Sequence, residues 1–182
     1  MDFMTRAQSL IHGDLHTGSI FINEESTKVF DPEFCFYGPM GYDIGNVIAN
    51  MIFAWANGDA AGAADFCKWV EDVLVDVINM TKEKMEKYYD EHVTDTMCRN
   101  ELYKKYYMDT IIEDTSAVAG LELIRRIVGM ANVKDITTIA DEAKRARAEK
   151  ICITAAIDFI KNRSDKKCGK CFLKTLKDAI AK

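Results

Sequence analysis

The sequence predicts an α+β fold, mostly α, in which a short β-hairpin stands on a helical body. Both of its prolines, Pro32 and Pro39, lie before residue 40, so nothing beyond that point is barred from continuing as helix. Two short strand-like runs, Ser19-Ile20-Phe21-Ile22 and Thr27-Lys28-Val29-Phe30, form the two arms of a hairpin. With 182 residues and 48% hydrophobic content, the chain is one domain in size and can bury a sizeable core.

After the hairpin, Tyr37-Gly38-Pro39-Met40-Gly41 reads as a turn. Helices are expected over about 42–57, 60–79, 80–92, 95–113, 115–131, 137–162 and 168–181. The clearest breaks are Gly58-Asp59, Asn132-Val133-Lys134-Asp135 and Asn162-Arg163-Ser164-Asp165. The longest apolar stretch, from Val47 to Ala56, is interrupted by Asn50 and too short to span a bilayer, so it reads as a buried core helix. Asp141 to Lys150 is a charged segment that reads as a solvated helix face. Trp55, Trp69, Tyr103, Tyr106 and Tyr107 read as core aromatics, with the lining of an apolar ligand pocket as the competing role. No internal repeat or low-complexity linker is visible.

Composition narrows the function classes. A net charge of −5 and the lack of a basic stripe with interleaved aromatics argue against a nucleic-acid partner. The first residues, Met1-Asp2-Phe3-Met4-Thr5-Arg6, do not read as a cleaved leader, and no membrane role is expected. Six cysteines without a disulfide-framework rhythm point to a reducing, cytoplasmic setting. Cys168-Gly169-Lys170-Cys171 is a lone CxxC, and a zinc site needs a second pair or histidines at suitable spacing. Metal binding and redox chemistry are both weak readings of it.

The chemistry-bearing residues concentrate near the start. Leu10-Ile11-His12-Gly13-Asp14-Leu15-His16-Thr17-Gly18-Ser19-Ile20 is followed by Asp31-Pro32-Glu33, which puts acidic groups at both ends of the hairpin. Phosphoryl transfer needs a carboxylate to orient and deprotonate the attacking hydroxyl, and further carboxylates to hold magnesium against the phosphate oxygens. Asp14 suits the first role: it follows Gly13, which permits a tight backbone, and precedes a strand. Asp31 and Glu33 suit the second. Pro32 favours an extended backbone at Asp31, and in an extended stretch residues two apart point to the same side, so one divalent cation would bridge both.

These residues carry a resemblance. The run from His12 to Ile20 resembles the catalytic loop of the aminoglycoside phosphotransferase and choline kinase superfamily. Phe30-Asp31-Pro32-Glu33-Phe34 through Gly41-Tyr42-Asp43-Ile44-Gly45-Asn46 looks like its methylthioribose kinase branch, which carries Asp-Pro-Glu where protein kinases have Asp-Phe-Gly. Ser19 stands at that family's loop-asparagine position. The likeness returns at Gly120-Leu121-Glu122-Leu123-Ile124-Arg125-Arg126-Ile127-Val128-Gly129.

The resemblance implies the C-terminal lobe of a kinase-like fold over residues 1–182, acting on 5-methylthioribose with ATP and Mg2+. Phosphate would pass to the 1-hydroxyl of the sugar, a step of methionine salvage. Asp14 would be the catalytic base, and Asp31 and Glu33 the magnesium ligands, with Ser19 a weaker one. Arg125 and Arg126 would steady substrate and phosphate charge, although neighbours on a helix point about 100° apart and need not share a ligand. His16 is a weak substrate or phosphate contact.

His12, Gly13 and Asp43 would support the loop, with Asp43 also favoured at a helix start by the orphan N–H groups and the dipole. A homodimer is implied as well. The 182 residues contain no glycine-rich phosphate loop and no strand lysine with a helix glutamate partner. An N-terminal ATP-binding lobe is therefore expected outside this chain, which alone should turn over negligibly. A kinase lobe for another small alcohol (an aminoglycoside, choline or homoserine) and a non-catalytic binding or dimerisation module are the alternatives.

Overall fold

The computed structural model describes residues 2–182, and the architecture is α+β and mostly helical. A short helix α1 (Asp2–Thr5) leads into β1 (Ser9–Ile11). A 3-10 turn over Thr17–Ser19 precedes β2 (Ile20–Ile22) and β3 (Thr27–Val29), which pair antiparallel with Ile20 opposite Val29. The expected hairpin therefore forms, each arm a residue shorter than its β-prone run.

A second ribbon was not anticipated. β4 (Phe36–Gly38) pairs antiparallel with β1, setting Ser9 opposite Gly38 and Ile11 opposite Phe36. Tyr37 and Gly38, expected in a turn, thus lie in a strand. The partners are separated by a whole hairpin, and a three-residue strand has too little periodicity to announce itself.

The helical body comprises α2 (Gly41–Ala61), α3 (Ala64–His92), α4 (Glu101–Ile127), α5 (Lys134–Thr137), α6 (Glu142–Lys161) and α7 (Gly169–Ile180). Two predicted breaks vanish. Residues 60–79 and 80–92 join largely in α3, and 95–113 and 115–131 merge largely into α4, because no proline or glycine stands at either junction. The expected helix 137–162 starts later, as α6, where Asp141 caps it by accepting from the Lys144 N–H at 3.0 Å, and the short α5 occupies part of the expected break at 132–135. The Gly58-Asp59 break shifts to Gly62, which ends α2 in the left-handed conformation.

The core lies along α2, between α3 and α4, with α6 and α7 closing it behind. Ile48, Ile52 and Phe53 of α2, Leu74 and Ile78 of α3, Leu123 of α4, Phe159 of α6, and Phe172 and Leu176 of α7 are fully buried. The Phe159 and Phe172 rings meet at 5.3 Å between centroids. The segment 47–56 is indeed core, and Trp55 is part of it, donating its indole N–H to the buried carboxylate of Glu71 at 3.1 Å. Glu71 also pairs with Lys177, so one buried charge ties α2, α3 and α7 together. Trp69 departs from expectation: it is exposed and stacks on Phe66. No described helix is long and apolar enough to cross a membrane.

The approach of α2 to α4 is unusually close. A Cβ on Gly45 would sit 2.7 Å from the Thr115 carbonyl oxygen and 2.7 Å from Val118 Cβ. Gly45→Ala is expected to destabilise the chain by about 1–3 kcal/mol through overpacking, read as a lower urea midpoint with an unchanged m-value. A second test concerns Asp158. Burial raises its pKa, but hydrogen bonds from Lys166, Thr175 and Asn162 outweigh that and hold the carboxyl down at about 2. A depressed folded-state pKa contributes stability above the unfolded value, which is lost as pH falls from about 4 toward 2. Asp158→Asn should flatten the stability profile across that window.

Candidate active site

The loop that carries His12, Gly13 and Asp14 leaves β1 and is held from below by α2. Asp43, in the first turn of α2 and 9% exposed, accepts the His12 N–H at 2.6 Å and the Gly13 N–H at 3.0 Å, one on each carboxylate oxygen. The helix start thus places the carboxylate, and the loop backbone takes both its oxygens. Gly13 adopts φ +83°, and a side chain there would collide with the Phe34 carbonyl. Conformation and space both require glycine at this position.

His12 braces the loop through both ring nitrogens. Nδ1 accepts the Asp14 N–H at 3.4 Å and Nε2–H donates to the Phe30 carbonyl at 2.8 Å, a set that one neutral tautomer satisfies. This ring links the residue before Asp31 to the backbone of Asp14. The Phe30 N–H in turn donates to the Ser19 carbonyl at 3.1 Å. Ser19 is buried, and its hydroxyl lies 3.2 Å from His16 Nε2, while the same nitrogen is 4.0 Å from the Asp14 carboxylate. Asp14, His16 and Ser19 therefore form one chain of polar contacts at the mouth of the hairpin.

The acidic pair departs from its expected geometry. Asp31 has φ +67°, and Pro32 to Cys35 closes a turn in which the Cys35 N–H donates to the Pro32 carbonyl at 3.0 Å. The extended Asp31-Pro32-Glu33 stretch does not form. Aspartate is among the few residues that tolerate the left-handed region, and its local tolerance here prevails over the extended preference that Pro32 imposes. Period-2 alternation consequently does not align the two carboxylates. Both residues are exposed, and the described residues contain no group of three or more Asp, Glu, His or Cys side chains placed to hold a metal ion. Asp14, Asp31 and Glu33 do not converge as a preformed cage.

Glu122 is the residue that sequence reading passed over. Only 6% exposed, it accepts Arg125 Nε at 2.7 Å and Nη2 at 3.0 Å, and Arg126 Nε at 2.7 Å. The i, i+3, i+4 spacing of Glu122, Arg125 and Arg126 was the available signal. The fork on Glu122 raises the Arg125 pKa, burial opposes it, and the charges of Tyr42 and Asp14 add to the rise.

The two arginines part company. Arg125 lines a cavity of about 490 Å³ with Tyr42, Asn46, Asp114 and Glu122. Arg126 instead borders a smaller hollow beside Ile136, Arg145 and Glu149, and its Nη1 reaches the Ala131 carbonyl at 3.4 Å. Of the five aromatics considered for a ligand pocket, Tyr107 lines an apolar cavity of about 500 Å³ with Leu10, Tyr88 and Tyr89. Tyr103 and Tyr106 are exposed.

Comparisons with known proteins bear directly on this loop. Residues 3–74, which contain it, match the phosphotransferase enzyme family. The chain is 38% identical over 180 residues to methylthioribose kinase 1 of Oryza sativa subsp. japonica, covering 88% of this chain and 41% of that protein. The chain is a homologue of the methylthioribose kinases. It is also 37% identical to the methylthioribose kinase of Bacillus pumilus, over 87% of this chain and 39% of that protein. For the Escherichia coli methylthioribose kinase the identity is 35%, with 88% of this chain and 42% of that protein covered. The homologue thus spans about two-fifths of the length of the curated relatives it matches.

Removing the Asp43 carboxylate should free the loop. Asp43→Ala is expected to cost about 2–3 kcal/mol, within the range for hydrogen bonds to a charged group, while Asp43→Asn, which retains one carbonyl acceptor, should cost distinctly less. Denaturant titration gives both values, and faster amide exchange at Gly13 in the alanine variant would locate the loss.

Proposed function

We propose that this chain is the acceptor-side lobe of an S-methyl-5-thioribose kinase, passing the ATP γ-phosphate to the 1-hydroxyl of 5-methylthioribose. The observation that carries the reading is the His12-Gly13-Asp14 loop, pinned by both oxygens of Asp43 and braced by His12, in a chain homologous to methylthioribose kinases. Asp14 is half-exposed beside His16, and its charge is felt at Arg125. A carboxylate so placed can accept the proton of a sugar hydroxyl as the hydroxyl attacks phosphorus. His16, 4.0 Å from that carboxylate, is the weaker candidate for a substrate or phosphate contact.

Asp31 and Glu33 are the candidate ligands for magnesium arriving with the nucleotide. Both are exposed carboxylates, and magnesium is commonly held by one or two carboxylates with substrate phosphates and waters completing the shell, so no cage of three is required. The bound ion would supply neutralisation of phosphate charge. Ser19 is a poorer candidate because its buried hydroxyl already meets His16. Arg125, whose Nη1 edge is not used by the Glu122 clamp, is the better candidate for an oxyanion contact, and Arg126 supports it from behind. Methionine salvage, cytoplasmic residence and a homodimer belong to the same proposal, as does an ATP-binding lobe completing the enzyme.

The test joins this chain to the ATP-binding segment of a methylthioribose kinase and follows ATP-dependent phosphorylation across a panel of 5-methylthioribose, choline, homoserine and an aminoglycoside. Preference for 5-methylthioribose is expected, with Asp14→Asn lowering kcat by about 10²–10⁴-fold. Glu33→Gln should impair turnover nearly as much as Asp31→Asn, since a serine at position 19 leaves the metal dependent on two carboxylates. Preference for another alcohol would reassign the substrate, and a Glu33→Gln rate equal to the parent's would remove Glu33 from the site. Binding of 5-methylthioribose with no turnover would favour a non-catalytic module.

A further inference from the structure

We propose that Cys168 and Cys171 form a reversible redox pair, closing to an intramolecular disulfide by exchange with a small disulfide oxidant of the glutathione type. The two Sγ atoms lie 3.2 Å apart, and both residues are part-exposed. Their placement is set by backbone. Cys168 caps the twelve-residue helix α7 in extended conformation, and its carbonyl accepts the Cys171 N–H at 2.9 Å, which fixes the first turn with both side chains on one side. Gly169 anchors that turn to α3: its N–H donates to Asn79 Oδ1 at 2.9 Å, and the Val75 backbone leaves no room for a side chain there.

The surroundings suit thiolate chemistry. Cys171 opens into a polar hollow of about 290 Å³ with Asp158, Lys166, Lys174 and Thr175, which gives a small oxidant access. Burial works to raise the Cys171 pKa, but the Cys168 thiol, the backbone N–H groups of Lys167 and Cys168 and the charge of Lys166 outweigh it, leaving this thiol below its ordinary value.

No other cysteine shares these features. Cys67 and Cys152 are buried, with burial pushing Cys152 up to about 12. Cys35 and Cys98 have no sulfur partner among the described residues. Among the described residues no third metal-binding side chain joins the pair, so a tetrahedral metal site lacks its remaining ligands there.

The exchange balances in two steps. The Cys171 thiolate attacks one sulfur of the oxidant, forming a mixed disulfide and expelling one thiolate. The Cys168 sulfur, on losing its proton, then attacks Cys171 Sγ and expels the second. Two cysteine thiols are oxidised, the oxidant disulfide is reduced to two thiols, and the two cysteine protons end on them. In a reducing compartment the pair stays open and closes only as the oxidant accumulates.

The chain equilibrated in buffers of varied reduced-to-oxidised glutathione ratio, quenched in acid, alkylated and mapped by mass spectrometry, decides the point. The expected result is loss of two of the six alkylatable thiols, with a disulfide mapped between Cys168 and Cys171 that reverses on returning to reduced glutathione. Cys171→Ser should abolish the two-thiol loss, and if that variant fails to fold, the wild-type peptide map still decides. Six alkylatable thiols at every ratio, a bridge mapped to any other pair, or glutathione adducts that never resolve to the internal bridge would overturn the proposal. The readout requires no catalytic turnover, so it stands apart from the kinase reading.

Discussion

The candidate site depends on one nearly buried carboxylate. Asp43 takes two loop N–H groups on its two oxygens, and charge-assisted hydrogen bonds of this kind are about twice as strong as neutral ones. The loop between β1 and the 3-10 turn has no ladder partners of its own at His12 and Gly13. Without Asp43 their N–H groups would be left to solvent, and the position of Asp14 would follow no rigid element. The platform for Asp43 is itself rigid, because Gly41 and Gly45, one turn apart, let α2 lie against the backbone of α4.

That close packing links the site's two halves. α4 carries Glu122 and Arg125, so bringing α2 against α4 also brings the arginine side of the cavity toward the loop that α2 supports. Glu122 then does for the arginines what Asp43 does for the loop: a buried acid fixes groups that would otherwise wander on long stems. The acidic pair at the hairpin end is held differently. Asp31 and Glu33 sit in an exposed turn with a left-handed residue at its head, and among the described residues they have no buried partner of that kind. Under the proposed phosphotransferase reading, two rigid groups and one adaptable pair would let the acceptor side be preorganised while the metal arrives with its phosphates.

Much of the site was legible because its residue types are demanding. A glycine at φ +83° facing a carbonyl, a histidine whose two nitrogens bridge two strands' ends and an acid at a helix start each leave a short, recognisable string. What misled was transferring a local rule across a proline: Pro32 removes one region of backbone space at Asp31, and the chain chose the left-handed region rather than the extended one. Glu122 was overlooked for a different reason. Its partners are its own helix neighbours, but its burial comes from packing of the helix it sits on, which no single segment reveals.

The sequence alone determined the helical body, the hairpin and the identity of the loop that carries Asp14, because proline placement, β-prone runs and a tight Gly-Asp step are local properties of the chain. Tertiary structure decided which breaks survive in α3 and α4, that β1 and β4 pair across the hairpin, and that Arg125 rather than Arg126 borders the cavity. These outcomes depend on which buried faces meet and which side of a helix is covered, and such choices are settled by packing between segments far apart in the chain.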